Sequence, residues 1–332
     1  MRIAVCLPQV PFARGGAEIF SDELVRQLQA RGHEAEVVSV PFKWYPGQKV
    51  LTQAFLWRLL DLTEADGAPI DLVVATKFPS YCVRHPNKVV WLLHQFRQAY
   101  ELDRTELGQF SESAEDRALR RRVQRLDEKA LGEARKLFAT SGNVAERLRR
   151  STGLDAEVLP HPPQELAYRT DAYEPFVFSV GRLDRAKRID LLIQAAARQG
   201  IDVVVAGEGP DRARLESLAN GRVRFTGRVT EDELADLYAR CRAVFYAPVD
   251  EDFGMVPFEA FLAEKPVVTT TDAGGPLDVV HERKTGRVVE PTVDAIAGAL
   301  AIGEDEARAW GKAGKALAQR VTWDNAIDRL LS

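Results

Sequence analysis

The stretch DEDFGMVPFEAF, Asp250 to Phe261, decides how the chain is read. The apolar run AVFYAPV before it predicts a strand ending at Pro248, and Val256 to Ala263 after it has helical spacing. Pro257 fits the first turn of that helix, where a missing N–H costs nothing. Glu251 is therefore expected in the connecting loop and Glu259 in the first turns of the helix. Gly254 allows close backbone approach. The N–H groups of Gly254, Met255 and Val256 are expected to face outward at the helix start, where hydroxyl or phosphate oxygens can be held. Two acids around such N–H groups suit a ligand rich in hydroxyls. The alternative is an ordinary strand-to-helix turn with solvated acids.

Upstream of this stretch, FVFSV (Phe176–Val180) predicts a strand that runs into GRLDRAK. Gly181 makes the turn, and Arg182 and Lys187, the latter expected at the start of the next helix, are two cations able to converge on a diphosphate, Arg as a bidentate donor and Lys as a point charge. The alternative is a pair of surface cations. DVVVA (Asp202–Ala206) is a strand followed by GEGP, whose first glycine is Gly207; the dinucleotide fingerprint G-x-G-x-x-G is not met, because Arg212 holds the last glycine's place. Val223 to Thr226 is a strand, and Thr230 with Glu233 forms a capping box for the next helix. Downstream, VVTTTDAGGPLDVV predicts a strand, a Gly274-Gly275 turn and a helix start. A helix from about Val293 to Leu300 and a terminal helix in TWDNAIDRLLS complete the half.

The first half repeats the alternation. Strands are expected at Arg2–Leu7, Glu36–Val40, Asp71–Ala75, Lys88–Leu93, Lys136–Thr140 and Glu157–Leu159. Helices are expected at AEIFSDELVRQLQARG, Val50–Leu62, Ser113–Glu133 and about Asn143–Arg150. Strands alternating with helices predict parallel sheets, whose ligands bind beyond the strands' C-terminal ends. Gly15 and Gly16 follow the first strand and form a candidate phosphate cradle, or a plain tight turn; Glu18 favours the helix start. His94 falls just past a strand end, where a functional role competes with a structural one. The arginines Arg117, Arg120, Arg121, Arg122 and Arg125 read as a solvated face, or alternatively as a face for anionic lipid or a phosphorylated acceptor. PHPP, Pro160 to Pro163, begins a stiff linker.

Taken together, GGAE, the strand-end histidine, GR-x4-K, GEGP, TGRV and E-x7-E resemble, in this order, the retaining glycosyltransferases of family 4, glycosyl transferases group 1. The resemblance implies a GT-B fold: two Rossmann-like parallel-sheet domains facing a central cleft, residues 1–163 on the acceptor side and 164–315 on the donor side, with 316–332 a terminal helix crossing back. It implies transfer of a hexose from a UDP- or GDP-linked sugar to a hydroxyl of a glycan, lipid-linked or small-molecule acceptor, in bacterial envelope or glycoconjugate synthesis. His94, Arg182, Lys187 and Glu251 map onto the family's catalytic positions. Gly15, Gly16, Gly181, Gly207, Arg228, Val229, Phe253, Gly254, Met255, Val256 and Glu259 map onto donor contacts, Glu251 at the sugar and Glu259 at the ribose. One departure stands out: the family usually has glycine after the lysine, and here it is Arg188. Asp250 and Asp252 form a D-x-D, but inside the E-x7-E loop it is read as holding no metal, and no cofactor is expected.

The composition fits this class. With 332 residues, 45% hydrophobic and 28% charged, the chain has room for two ordinary globular domains. A net charge of −4 gives no global reason to expect nucleic acid. No segment reads as a membrane span or an export signal, and the three scattered cysteines read as reduced thiols, so a cytoplasmic place is expected, with peripheral contact at the membrane's inner face through the arginine-rich helix. A nucleotide-sugar epimerase on a related fold and a non-catalytic sugar-binding protein are the rival classes.

Overall fold

The computed structural model describes residues 1–12, 14–103, 105, 108–164 and 166–332. Contacts divide the chain into two units, Met1–His161 with Trp323–Ser332, and Pro162–Thr322.

In the first unit the elements run β1 (Arg2–Gln9), α1 (Gly16–Ala30), β2 (Glu34–Pro41), α2 (Lys49–Leu59), a small hairpin β3 (Glu64–Ala65) and β4 (Ala68–Pro69), β5 (Leu72–Lys77), β6 (Lys88–His94), α3 (Ala114–Gly132), β7 (Lys136–Ala139), α4 (Gly142–Thr152) and β8 (Glu157–Val158). A parallel sheet is ordered β2-β1-β5-β6-β7-β8. Alternate residues of each strand serve opposite faces. Ala4, Cys6, Val73, Ala75, Val90 and Leu92 meet α2, α3 and α4. Ile3, Val5, Leu72, Val74, Val89 and Trp91 meet α1 and the last helix, α11 (Trp323–Leu331). Phe20, Trp91 and Trp323 lie within 6.3 Å of one another, ring to ring, so the chain's last turns fill this core.

The second unit runs β9 (Phe176–Val180), α5 (Ile189–Gln199), β10 (Asp202–Ala206), α6 (Arg212–Leu218), β11 (Val223–Gly227), α7 (Glu231–Arg240), β12 (Ala243–Phe245), α8 (Val256–Leu262), β13 (Val267–Thr270), β14 (Gly286–Val289), α9 (Val293–Leu300) and α10 (Glu304–Ala318). Its parallel sheet is ordered β11-β10-β9-β12-β13-β14. One core packs α5 and α9 on one face, the other packs α7 and α8 on the opposite face. The division drawn at residue 315 from the sequence falls inside α10, which belongs to this unit. Its two internal glycines explain both its docking and its weak sequence signal. A Cβ on Gly311 would stand 1.8 Å from the Glu264 carbonyl oxygen, and one on Gly314 would stand 2.3 Å from the Phe261 ring.

Two local expectations differ from the structure. Lys187 ends a single 3-10 turn, Arg185–Lys187, one residue short of α5. The Gly274-Gly275 turn opens another 3-10 turn, Gly275–Asp278, and no α-helix follows it. Cys6, Cys82 and Cys241 are buried free thiols, and burial pushes the Cys241 thiol up to about 12.

Candidate functional site

In the second sheet, the chain leaves β9 toward β10 on one side and reaches β12 on the other. Beyond the C-terminal ends of these two strands lies the crevice where open parallel sheets take ligands. Gly181 to Arg188 follows β9, and Tyr246 to Met255 follows β12. The Lys187 ammonium forms an ion pair with Glu251. The Tyr246 hydroxyl joins the pair, donating to Glu251 Oε2 at 3.0 Å and accepting from Lys187 Nζ at 3.3 Å. Lys187 Nζ also sits 5.3 Å from the centre of the Tyr246 ring. Burial, with the negative charges of Glu251 and, further off, Glu259, holds the Tyr246 phenol well above its ordinary range, so it stays a donor.

A single segment after β13 anchors both arms of this cluster. Arg188 adopts the left-handed conformation (φ 52°) that favours glycine. Its guanidinium grips Asp272 with two hydrogen bonds, 2.7 and 2.6 Å. That grip holds the Asp272 carboxyl below its usual range. The amides of Asp250 and Glu251 donate to the carbonyls of Asp272 and Ala273, and Gly275 N–H donates back to Glu251 O at 2.8 Å. Glycine is required at 275, because a Cβ there would lie 2.6 Å from Asp252 O. Gly254 has φ 81°, and a Cβ there would meet the Tyr246 ring at 2.8 Å. Phe253 stacks on Phe258, ring centres 5.0 Å apart, which fixes the bend that leads through Met255 and Val256 into α8.

Glu259 projects from α8 into a half-buried position. Burial raises its carboxyl, opposed by the buried Tyr238 hydroxyl, which donates to Oε2 at 2.7 Å. Tyr238 and Tyr246 thus each hold one of the two glutamates, and neither tyrosine was singled out from sequence. Both sit at helical or strand positions that read as core.

The glycine turns read as ligand contacts have a packing reason first. Gly181 N–H donates to Ala206 O, Gly207 N–H to Gly227 O and Leu183 N–H to Glu208 O, so the turns after β9, β10 and β11 are laced in series. A Cβ on Gly207 would stand 1.9 Å from Gly181 O. Arg182 is exposed, with a loose 3.9 Å contact to Asp184, and is not drawn into the Lys187 cluster. Arg228 and Val229 line an open surface pocket of about 660 Å³ with Arg224, Thr226 and Asp232.

In the first unit the corresponding change of direction lies between β1 and β5. Gly15 and Gly16 follow β1, but the Gly15 amide already donates to Glu18 Oε2 at 2.8 Å, so Glu18 caps α1 and takes up half of the expected cradle. Glu18 also meets Lys77, at the end of β5, at 3.4 Å. Burial lowers the Lys77 ammonium and Glu18 opposes the shift. His94 ends β6, and its Nδ1 donates to Gln95 O at 2.7 Å, which puts the proton of the neutral ring on Nδ1. The residues after His94 are held by α3 and α4: the buried Asp127 accepts from Tyr100 OH at 2.8 Å and Gln95 Nε2 at 3.5 Å, and Arg147 pairs with Glu101 at 3.0 Å. Arg120 belongs to this set. It is buried and paired with Asp103, so it leaves the solvated arginine face expected from the sequence; Arg117, Arg121, Arg122 and Arg125 remain exposed.

Two sheets of this order define an α/β protein of the GT-B fold. The fold matches sucrose-phosphate synthase from Thermosynechococcus elongatus, with a TM-score of 0.79 at 21% identity, over 99% of this chain and 97% of that one. It also matches Anabaena HepE in complex with UDP-glucose, with a TM-score of 0.71 at 17% identity, over 99% and 98%. Residues 167–316 match the family model described as glycosyl transferases group 1. That match lies within the second unit. Among curated relatives, a GDP-mannose-dependent alpha-mannosyltransferase of Mycobacterium tuberculosis is 39% identical over 113 residues, 34% of this chain and 29% of that protein. The chain spans less than half the length of the first curated relatives it matches, 29%, 42% and 41%. Among the described residues, no helix is long and apolar enough to cross a membrane.

Proposed function

We propose that the chain is a retaining hexosyltransferase of family 4 that uses a nucleoside diphosphate sugar. The observation that carries this is the cluster of Lys187, Glu251 and Tyr246 at the change of direction in the second sheet, with Glu259 beside it. Lys187 meets the diphosphate, joined by Arg182 from its exposed turn, and the two offset the charge that grows on the leaving phosphate; the reading calls for no metal and no cofactor. Glu251 accepts hydrogen bonds from the sugar hydroxyls and Glu259 from the ribose. Gly181, Gly207, Arg228, Val229 and the bend Phe253–Val256 complete the donor contacts of the second unit, and the resemblance assigns Gly15 and Gly16 to donor binding and His94 to the transfer. The acceptor hydroxyl oxygen bonds to the anomeric carbon as the bond to the phosphate oxygen breaks, and that oxygen takes the electron pair and the hydroxyl proton. Glu251 is engaged by Lys187 and Tyr246, which suits a hydrogen-bonding role and not that of a covalent nucleophile.

The relative named for GDP-mannose makes that sugar nucleotide the first donor to try, and the neighbour solved with UDP-glucose makes UDP-glucose the second. A glycan, lipid-linked or small-molecule hydroxyl accepts the sugar, and the enzyme works on the cytoplasmic side of an envelope or glycoconjugate pathway. Incubation with each donor, with and without a panel of such hydroxyl acceptors, tests the reading. Acceptor-dependent release of nucleoside diphosphate with retained anomeric configuration is expected. Epimerised donor and no transfer would overturn it.

A further inference from the structure

The stretch Val37–Leu60 carries no acid, in a chain that has 49. It covers the end of β2, the loop FKWYPGQK and all of α2. Helix α2 buries Val50, Leu51, Ala54 and Trp57 against the sheet. A helix that covers one face of a sheet and meets water on the other is expected to be polar outside. This one is not: Phe55, Leu56 and Leu59 are 54%, 42% and 79% exposed. The loop before it exposes Trp44 and Tyr45, packed edge to face. Lys43 lies 5.1 Å over the Tyr45 ring, and Lys49 opens the helix. Both lysines are exposed, and no carboxylate pairs with either among the described residues. Arg58, by contrast, is neutralised inside by Glu133 at 2.7 and 2.9 Å. The next acid, Asp61, accepts from Thr63 N–H and its hydroxyl.

We propose that this face of the first unit, the Lys43–Tyr45 loop and the outer stripe of α2, docks on an anionic lipid bilayer. Trp44 and Tyr45 have the mixed polar and apolar character that suits the headgroup layer. Phe55, Leu56 and Leu59 enter the boundary of the acyl chains, as the apolar stripe of an interfacial helix does. Lys43 and Lys49 meet lipid phosphates, a contact that falls off with screening. A second copy of the chain fits the face less well, because a two-fold interface sets a patch against itself and would place these unpaired lysines near their own copies. Helix α3 covers the same face of the sheet and exposes Arg121, Arg122 and Arg125, but Glu115 and Glu128 lie among them, so charge alone does not single it out. The inference is independent of which sugar is moved, or whether one is.

The test is flotation of the full chain with vesicles of phosphatidylcholine alone, and of phosphatidylcholine with about a third phosphatidylglycerol. Anionic vesicles are expected to carry the protein, with binding weakened but not abolished by salt. Phe55→Ser with Leu59→Ser alters only exposed side chains. It is expected to lower the partition roughly tenfold or more, with an unchanged circular dichroism spectrum and melting temperature. Lys43→Glu with Lys49→Glu is expected to remove the preference for anionic vesicles. Absence of wild-type binding at low salt would overturn the proposal, as would binding that both double variants leave untouched. So would a dimer in solution that Phe55→Ser with Leu59→Ser dissolves while vesicle binding stays absent. Nucleotide binding, followed on the same samples, reports separately on the donor-site reading.

Discussion

The Arg188 guanidinium grips the Asp272 carboxylate with two hydrogen bonds, and the main chain of Asp272 receives the amide of Asp250. One residue thus ties down the segment that ends in Lys187 and the segment that carries Glu251. Where the family it resembles usually has glycine, this chain accepts a left-handed arginine, a conformation costing about 1–2 kcal/mol. The charged hydrogen bonds offset that cost at roughly 1.5–3 kcal/mol in favourable settings, and less here, because Asp272 is partly exposed.

Arg188→Gly is therefore expected to leave the melting temperature within a few degrees of wild type, since strain and ion pair are lost together. Turnover should fall severalfold all the same, because Lys187 and the Glu251 loop lose their common anchor. Asp272→Asn should lower turnover in the same direction. Calorimetry and steady-state kinetics on both variants check this. A fully active Arg188→Gly would show that the clamp positions nothing.

Gly207→Ala places a Cβ 1.9 Å from the Gly181 carbonyl oxygen, at a φ of 122° that side chains avoid. Loss of more than about 3 kcal/mol in denaturant unfolding is expected. Gly298→Ala, in α9, meets nothing within 4 Å and is the control. It should be neutral or stabilising by up to about 1 kcal/mol. Similar behaviour of the two variants would contradict the laced-turn account.

Burial raises the Asp127 carboxyl from 3.8 to about 7, opposed by hydrogen bonds from Tyr100 and Gln95 and by the nearby Tyr81 hydroxyl. A raised carboxyl binds its proton more tightly in the folded state. It therefore opposes folding increasingly as pH rises from the unfolded value toward 7, and fully above that. The melting-temperature difference, Asp127→Asn minus wild type, should become more positive between about pH 5 and pH 8. A difference independent of pH would mean that Asp127 is ionised throughout.

The alternation of strands and helices was legible because parallel strands buried on both faces read as apolar runs: FVFSV and DVVVA are strands over the residues their composition marks. The pair Glu251 and Glu259 was legible because Pro257 announces the helix between them. Helix α10 was not, because Gly311 and Gly314 weaken the pattern to admit Glu264 and Phe261. Tyr246 and Tyr238 were hidden by their burial, since only coordinates show that their hydroxyls reach the glutamates. Lys77 lies two residues past the strand expected at Asp71–Ala75, and only the fold sets it beside Glu18. Arg120 looked like its exposed neighbours, and only the fold turns it inward to Asp103.

In the proposed donor site one glutamate serves the sugar and the other the ribose. Calorimetric titration with free GDP and free UDP of the wild type, Glu251→Gln and Glu259→Gln tests it most directly. One nucleoside diphosphate is expected to bind the wild type. Glu259→Gln should weaken that binding about ten- to a hundredfold, the worth of a charged hydrogen bond. Glu251→Gln, which frees Lys187 from its partner, should bind the nucleoside diphosphate as tightly as wild type or tighter. If neither nucleoside diphosphate binds, or if Glu251→Gln loses as much affinity as Glu259→Gln, the account is wrong.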